Sequence, residues 1–216
     1  MDELLRAAQP TLAAAFTVWG SPVTWLEIVA FVLSLAMVGC NLRVNPWAWP
    51  LAIAASLMYA LLFAASRLYG EASLQLFFVV VSLYGWWQWL RGTGGDGRPL
   101  VVHWLSPRQR FAALAATLAA WPLLGLLLAH ATDSDVPYFD ALPTAASVVA
   151  QLLLARKAVE NWPWWLVINL VSIALFAWKA LWLTVLLYTL FALLSVVGWR
   201  AWARLARAAP AGARGG

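Results

Sequence analysis

The chain has 216 residues, of which 64% are hydrophobic and only 11% are charged, with a formal net charge of +5. A soluble domain is about half apolar and a quarter charged, so this composition excludes an ordinary soluble protein and indicates an all-α integral membrane domain over 1–216, with the lipid bilayer as a partner. The single cysteine, Cys40, excludes an internal disulfide.

Apolar segments long enough to cross a bilayer follow one another along the chain. Residues 1–20 come first and are predicted to form an interfacial helix or a loosely ordered tail, because their apolar stretch is short and follows acidic residues. Each later segment has about 18–22 residues, which suits a hydrocarbon core of roughly 30 Å. The seven predicted spans are 23–41, 47–66, 71–90, 110–131, 139–158, 162–179 and 182–202.

Two polar segments interrupt this pattern, a loop at 91–109 and a basic tail at 205–216 that we expect to be disordered. Residues 92–97 of the loop spell G-x-G-x-x-G, but no predicted strand precedes them, so a flexible linker is favoured over a dinucleotide site. The two histidines are isolated, and the sequence has no nucleotide-hydrolysis loop. These features predict no metal, no cofactor and no enzymatic activity.

Lysine and arginine are distributed unevenly between the two sides of the predicted spans. The positive-inside rule therefore predicts a multi-pass protein of the cell's inner (cytoplasmic) membrane, with the N-terminus outside and the C-terminus and loop 91–109 in the cytoplasm. This placement explains the net charge without a nucleic-acid partner. Eleven basic residues lie on one side, Arg43, Arg91, Arg98, Arg108, Arg110, Arg156, Lys157, Arg200, Arg204, Arg207 and Arg214, and three on the other, Arg6, Arg67 and Lys179.

A segment of the chain is repeated. Residues 49–89 align with residues 162–202 at a constant shift of 113, with 13 identities in 41 positions. The first and fifth spans are four apart and enter the membrane in the same direction, so the repeats are predicted to be parallel. They form three-helix units at 21–90 and 132–204, joined by a linker helix at 110–131. A duplicated membrane unit of this 3+1+3 kind is typical of a transporter.

Polar and aromatic side chains inside the predicted spans are candidates for substrate contact. A polar group within the membrane faces a cavity or a neighbouring helix, and an aromatic face attracts organic cations. Hydrogen bonding between helices and interfacial placement of tryptophan are the alternatives. The candidate binding residues are Gln75, Gln151, Trp162, Trp165, Asn169, Trp182 and Tyr188.

Two carboxylates, Glu27 and Asp140, lie near the predicted outer ends of the first and fifth spans. A carboxylate at a helix N-terminus complements the helix dipole, which is the structural interpretation. A proton relay or gate is the alternative.

Several strings in the sequence resemble the nicotinamide riboside transporter family, PnuC. They are residues 83–89, Asp140 within 138–141, residues 155–157 with 160–162, Trp165, and Gly198-Trp199 with Trp202, and the resemblance covers about 20–204. It implies a seven-helix fold related to the SWEET sugar transporters, a homotrimer, and uptake of a small-molecule vitamin by facilitated diffusion. A separate cytoplasmic kinase would then trap the vitamin by phosphorylation.

The resemblance also adds one residue to the candidate site. Ser82 stands where some carriers of this family have asparagine, and this departure bears on specificity. Nicotinamide riboside contains a pyridinium cation, which an aromatic cage could hold, and a ribose, to which amide side chains could hydrogen-bond. Thiamine is cationic as well, and related branches take riboflavin or deoxynucleosides. The vitamin, and a proton-coupled version of transport, are therefore left open.

Overall fold

The computed structural model describes residues 14–18, 21–65, 69–94, 97, 99–131, 137–178 and 182–208. These residues form seven helices and one two-stranded hairpin. The elements are β1 (Ala14–Val18), β2 (Ser21–Thr24), α1 (Trp25–Leu42), α2 (Ala48–Ala65), α3 (Tyr69–Arg91), α4 (Pro107–Ala131), α5 (Pro137–Ala155), α6 (Asn161–Trp178) and α7 (Trp182–Ala208).

Length and hydropathy identify the helices that can cross a membrane. Among the described residues, four segments are long and apolar enough, namely Trp25–Leu42, Pro107–His130, Pro137–Ala155 and Val185–Ala208. Two shorter apolar helices, Ala48–Leu62 and Asn161–Leu175, accompany them. Each predicted span coincides with one helix, although the bounds differ by up to six residues.

The N-terminal prediction of a helix or loose tail was wrong for residues 14–18. There β1 pairs antiparallel with β2, and Phe16 lies opposite Val23. β-branched and aromatic residues such as these favour strands. Among the described residues, β1 and β2 are the two strands, and all other named elements are helices. The last strand residue, Thr24, caps α1, because its hydroxyl oxygen accepts a hydrogen bond from the Glu27 backbone N–H at 3.1 Å.

Two further bounds differ from the prediction. Helix α7 continues to Ala208, so residues 205–208 are helical where a disordered tail was expected. Alanine, leucine and arginine favour helix, and Ala206 is buried. Helix α4 begins at Pro107, where Ser106 and Gln109 form a capping box: the Ser106 backbone N–H donates to Gln109 Oε1 at 2.9 Å.

Hydrogen bonds organise the described residues of the loop before α4; residues 95, 96 and 98 of the predicted linker lie outside them. Thr93 pairs with Pro99, and the backbone N–H of Leu100 donates to Gly92 at 3.1 Å, which closes a turn. His103 then forms a parallel bridge with Ala158, two residues from the end of the α5–α6 connection. We call residues 99–106 the strap, because they lie along that connection.

The chain divides into two compact units, Met1–Trp87 and Gln88–Gly216. In the first unit α1 packs on α2, and α3 meets α2 where Gly85 contacts Trp49. In the second unit α4 packs on α5, α5 on α6 and α6 on α7.

The connections α1–α2 (43–47, the first connector) and α5–α6 (156–160, the second connector) have the same backbone pattern. Each contains a residue in the left-handed region, Val44 at φ 54° and Lys157 at φ 58°. In each connector, the backbone N–H of this residue donates to the carbonyl three residues earlier, and the N–H of the next residue donates to the carbonyl five residues before itself. The four distances are 2.9–3.1 Å. This is the Schellman arrangement that ends a helix. The left-handed residues are 113 apart, as are the corresponding donors and acceptors.

Candidate functional site

A polar contact joins α6 and α7 within the second unit. Asn169 donates from Nδ2 to Ser195 Oγ at 3.3 Å, and Ser195 donates to the Phe191 carbonyl at 2.8 Å. Both polar side chains are buried. The amide oxygen of Asn169 has no hydrogen-bond partner within the described part of the chain. It is therefore an acceptor available to a bound molecule.

Helices α5 and α6 share an apolar cluster, and α5 also carries the buried side chain of Gln151. The cluster consists of Ala146, Ala150 and Ile168, and the half-buried ring of Trp165 packs against it. Gln151 directly follows Ala150, is 9% exposed, and makes no side-chain hydrogen bond to another described residue. The Gln151 amide can donate hydrogen bonds to, and accept them from, a polar ligand that reaches it.

Trp165 and Asn169 lie four residues apart on α6 and therefore share one face of that helix. Tyr188 lies seven residues before Ser195 and shares a face of α7 with it. The ring of Tyr188, half-buried, meets Phe191 edge to face at 6.2 Å. The sequence-predicted residues Trp165 and Asn169 thus lie on one face of α6. Tyr188 lies on the face of α7 that carries Ser195, the hydrogen-bond partner of Asn169.

Trp162 has a different environment. Its ring is 4% exposed, meets Trp202 edge to face at 5.7 Å, and lies directly against Gly198. A methyl group at Gly198 would overlap this ring. The ring of Trp162 therefore packs at the contact between α6 and α7, while its buried indole N–H has no hydrogen-bond partner within the described part of the chain.

The first unit contains two of the predicted residues, Gln75 and Ser82, seven apart on one face of α3. Gln75 is half-buried. Ser82 is 1% exposed, and its hydroxyl has no partner within the described part of the chain. The contact of Trp49 with Gly85 in this unit matches that of Trp162 with Gly198, at positions 113 apart.

The remaining predicted residues lie at helix ends. Glu27 is in the first turn of α1, where a carboxylate complements the helix dipole. Asp140 is in the first turn of α5, and Trp182 is the first residue of α7. The side chains of Asp140 and Trp182 lie outside the described residues.

The sequence analysis missed a charged cluster at the second connector. The carboxylate of Glu160 accepts hydrogen bonds from the backbone N–H of Leu105 in the strap, which lies 3.1 Å from each of its oxygens. The same carboxylate forms an ion pair with Arg110, whose Nε lies 2.8 Å away. The guanidinium of Arg110 also lies 5.7 Å from the ring centre of Trp104. The available signal was two opposite charges at span ends on the same predicted side of the membrane, but the two residues are 50 apart in the sequence.

Lys157 attaches the strap at a second point. Its ammonium donates to the Leu100 carbonyl at 2.9 Å and lies 5.3 Å from the ring centre of Trp89. Burial lowers the pKa of Lys157 below its ordinary value. Among the described residues, no group of three histidine, cysteine or acidic side chains could hold a metal ion.

Comparison with known proteins adds three similarities. The family model described as "Nicotinamide mononucleotide transporter" matches residues 24–204. The nicotinamide riboside transporter PnuC of Escherichia coli (strain K12) is 24% identical over 212 residues, with 87% of this chain and 89% of that protein covered. The riboflavin/roseoflavin transporter RibM of Streptomyces davaonensis is 31% identical over 193 residues, with the same coverage of both chains.

A solved structure is similar as well. The crystal structure of the vitamin B3 transporter PnuC has a TM-score of 0.69 and 25% sequence identity, and the match covers 85% of this chain and 82% of that one.

Proposed function

Because the chain belongs to the nicotinamide mononucleotide transporter family, whose members are membrane transporters and not enzymes, we propose that it carries nicotinamide riboside by facilitated diffusion. A separate cytoplasmic kinase traps the vitamin by phosphorylation. The observation that carries this proposal is the presence in one unit of two buried amide side chains, Gln151 on α5 and Asn169 on α6, and of a half-buried ring, Trp165, on the same helix face as Asn169.

The chemistry of these side chains suits the two halves of the substrate. The pyridinium ring is a flat cation, which the Trp165 ring attracts by up to about 2 kcal/mol once water is excluded. The ribose hydroxyls donate and accept hydrogen bonds, as do the amides of Gln151 and Asn169. Tyr188 is a further hydrogen-bonding group on the same unit.

We also propose that α1–α3 and α5–α7 are parallel repeats of three helices each, joined by α4, in the 3+1+3 arrangement. The shared connector pattern, the matching Trp–Gly contacts and the constant shift of 113 support this. All seven helices would then cross the membrane, with the N-terminus outside and the C-terminus in the cytoplasm.

The topology can be tested because the chain has a single cysteine. In a Cys40→Ala background, a single cysteine introduced at position 2 should react with an impermeant maleimide added to intact cells, whereas one at position 214 should react only after the cells are permeabilised. Reaction of both from the same side would reject seven spans. We also propose that the protein is a homotrimer. Mass photometry of the purified protein should then give three times the mass of one chain.

Riboflavin is the second candidate substrate, because the riboflavin/roseoflavin transporter RibM is 31% identical to this chain. Thiamine is a third, since it carries a cationic ring as nicotinamide riboside does. A proton-coupled version would use Glu27 or Asp140, and a strong response of uptake to an imposed pH gradient would favour it.

Calorimetric titration of the purified protein with the three vitamins tests the proposal. Nicotinamide riboside should bind, and Trp165→Ala should weaken it by about 30-fold, the equivalent of about 2 kcal/mol. Gln75→Ala should also abolish or weaken binding, whereas Trp87→Ala, which removes an exposed tryptophan, should not. Selective binding of riboflavin or thiamine would reassign the substrate, and no binding of any of them would reject the proposal.

A further inference from the structure

A groove beside the C-terminal half of α7 lies apart from the candidate substrate site. Its volume is about 540 Å³. It is lined by Trp104, Val196, Trp199, Arg200, Ala203, Arg204 and Arg207. All of these residues belong to the second unit, six of them on α7 and one on the strap.

The charge of the groove is strongly positive. Its lining has three arginines and no carboxylate. Glu160 is the carboxylate that the structure describes in this unit, and it is already bound to Arg110 and Leu105. The Nε–H of Arg204 donates to the Arg200 carbonyl of its own helix at 3.2 Å. This bond does not use the two terminal NH2 groups of the Arg204 guanidinium, which can donate to an anion. The groove is thus suited to an anion.

The groove also changes character along the helix. Residues 185–199 carry no charge, and the arginines follow at 200, 204 and 207. From Val196 to Arg207 the helix rises about 16 Å, so one end of the groove is apolar and the other is cationic. Trp199, 40% exposed, lies between them, where indole rings collect at a membrane interface.

We propose that this groove binds an anionic phospholipid. The phosphate lies on Arg200 and Arg204, and the first part of an acyl chain lies against Val196 and Trp199. A soluble phosphate compound would use the arginines alone and leave the apolar wall uncovered. A lipid without net charge would lose the attraction of the arginines, each of which contributes about a fivefold increase in affinity near a membrane surface.

Native mass spectrometry of the full chain in neutral detergent tests this with dioleoyl phosphatidylglycerol and dioleoyl phosphatidylcholine in equal amounts. The wild type should retain phosphatidylglycerol preferentially, and Arg200→Gln/Arg204→Gln should lose about 25-fold in that preference. The control is Arg108→Gln/Arg156→Gln, which removes the same charge from exposed positions outside the groove and should keep the preference.

A second variant leaves the charges in place. Val196→Trp fills the apolar end and should weaken phosphatidylglycerol binding while its elution volume and helix content match the wild type. Equal retention of the two lipids by the wild type would overturn the proposal, as would an undiminished preference in the double arginine variant or an equal loss in the control. Full displacement of the lipid by inorganic phosphate at the same concentration would assign the groove to soluble anions.

Discussion

Replacement of Gly198 by alanine should destabilise the protein, because the Trp162 ring occupies the space that the new methyl group needs. The ring is rigid and is already covered on another side by Trp202, so it cannot turn aside. Overpacking a core costs about 1–3 kcal/mol, and we place this site at the upper end. Alanine in a helix is favoured over glycine by about 1 kcal/mol. The net loss in the free energy of unfolding should be about 1–2 kcal/mol.

Gly39 provides the matched control. It lies within α1, and a methyl group there would have nothing within 4 Å. Gly39→Ala should therefore gain up to about 1 kcal/mol from helix propensity alone. Gly85→Ala should behave like Gly198→Ala, since the Trp49 ring contacts Gly85 in the same way.

The assay is reversible unfolding in mixed micelles of neutral detergent and dodecyl sulfate, followed by circular dichroism. A Gly198→Ala protein as stable as Gly39→Ala would refute the packing argument. The double variant Gly198→Ala/Trp162→Phe adds a second check. A smaller ring makes room for the methyl group, so the two substitutions should cost less together than the sum of their separate effects.

Three further predictions concern the connectors. Glu160→Ala should lower the free energy of unfolding by about 1–3 kcal/mol, because the buried N–H of Leu105 loses its acceptor; Glu160→Gln, which keeps an acceptor, should lose less in the same unfolding assay. Val44→Gly should raise the unfolding free energy by about 1 kcal/mol by relieving φ 54°, whereas Val44→Ala, measured beside it, should not. Burial lowers the pKa of Lys157 in the folded protein, so between that pKa and 10.5 the unfolded chain binds more protons than the folded one. The unfolding temperature should therefore rise with pH across this window. Lys157→Met should abolish the rise.

The positions of the helices could be predicted from the sequence because each is a long apolar run with a clear start and stop. The bound at Ala208 was missed, since an alanine- and arginine-rich end has the composition of a disordered tail, and only the burial of Ala206 distinguishes it. Strands β1 and β2 were not predicted, because the hydropathy of a short apolar stretch fits an interfacial helix as well as a strand, and only the strand propensity of residues such as Phe16 and Val23 separates the two.

The site was less predictable, because its contacts join distant parts of the chain. Asn169 was identified from its position within a span, but its partner Ser195 lies 26 residues away. Trp162 and Trp165 looked equivalent by composition and spacing. Their environments differ because Gly198 admits one ring into the helix contact, whereas the other lies at the α5–α6 cluster.

The two connectors have the same backbone conformation but differ in what their side chains bind. Their backbones match, but the second has Lys157 and Glu160 where the first has Val44 and Trp47, and only the amine and carboxylate can hold the strap. A graft of residues 43–47 into 156–160 would therefore keep the helical hairpin and release the strap. The two turns therefore have the same backbone geometry, but the side chains of the second alone bind the strap.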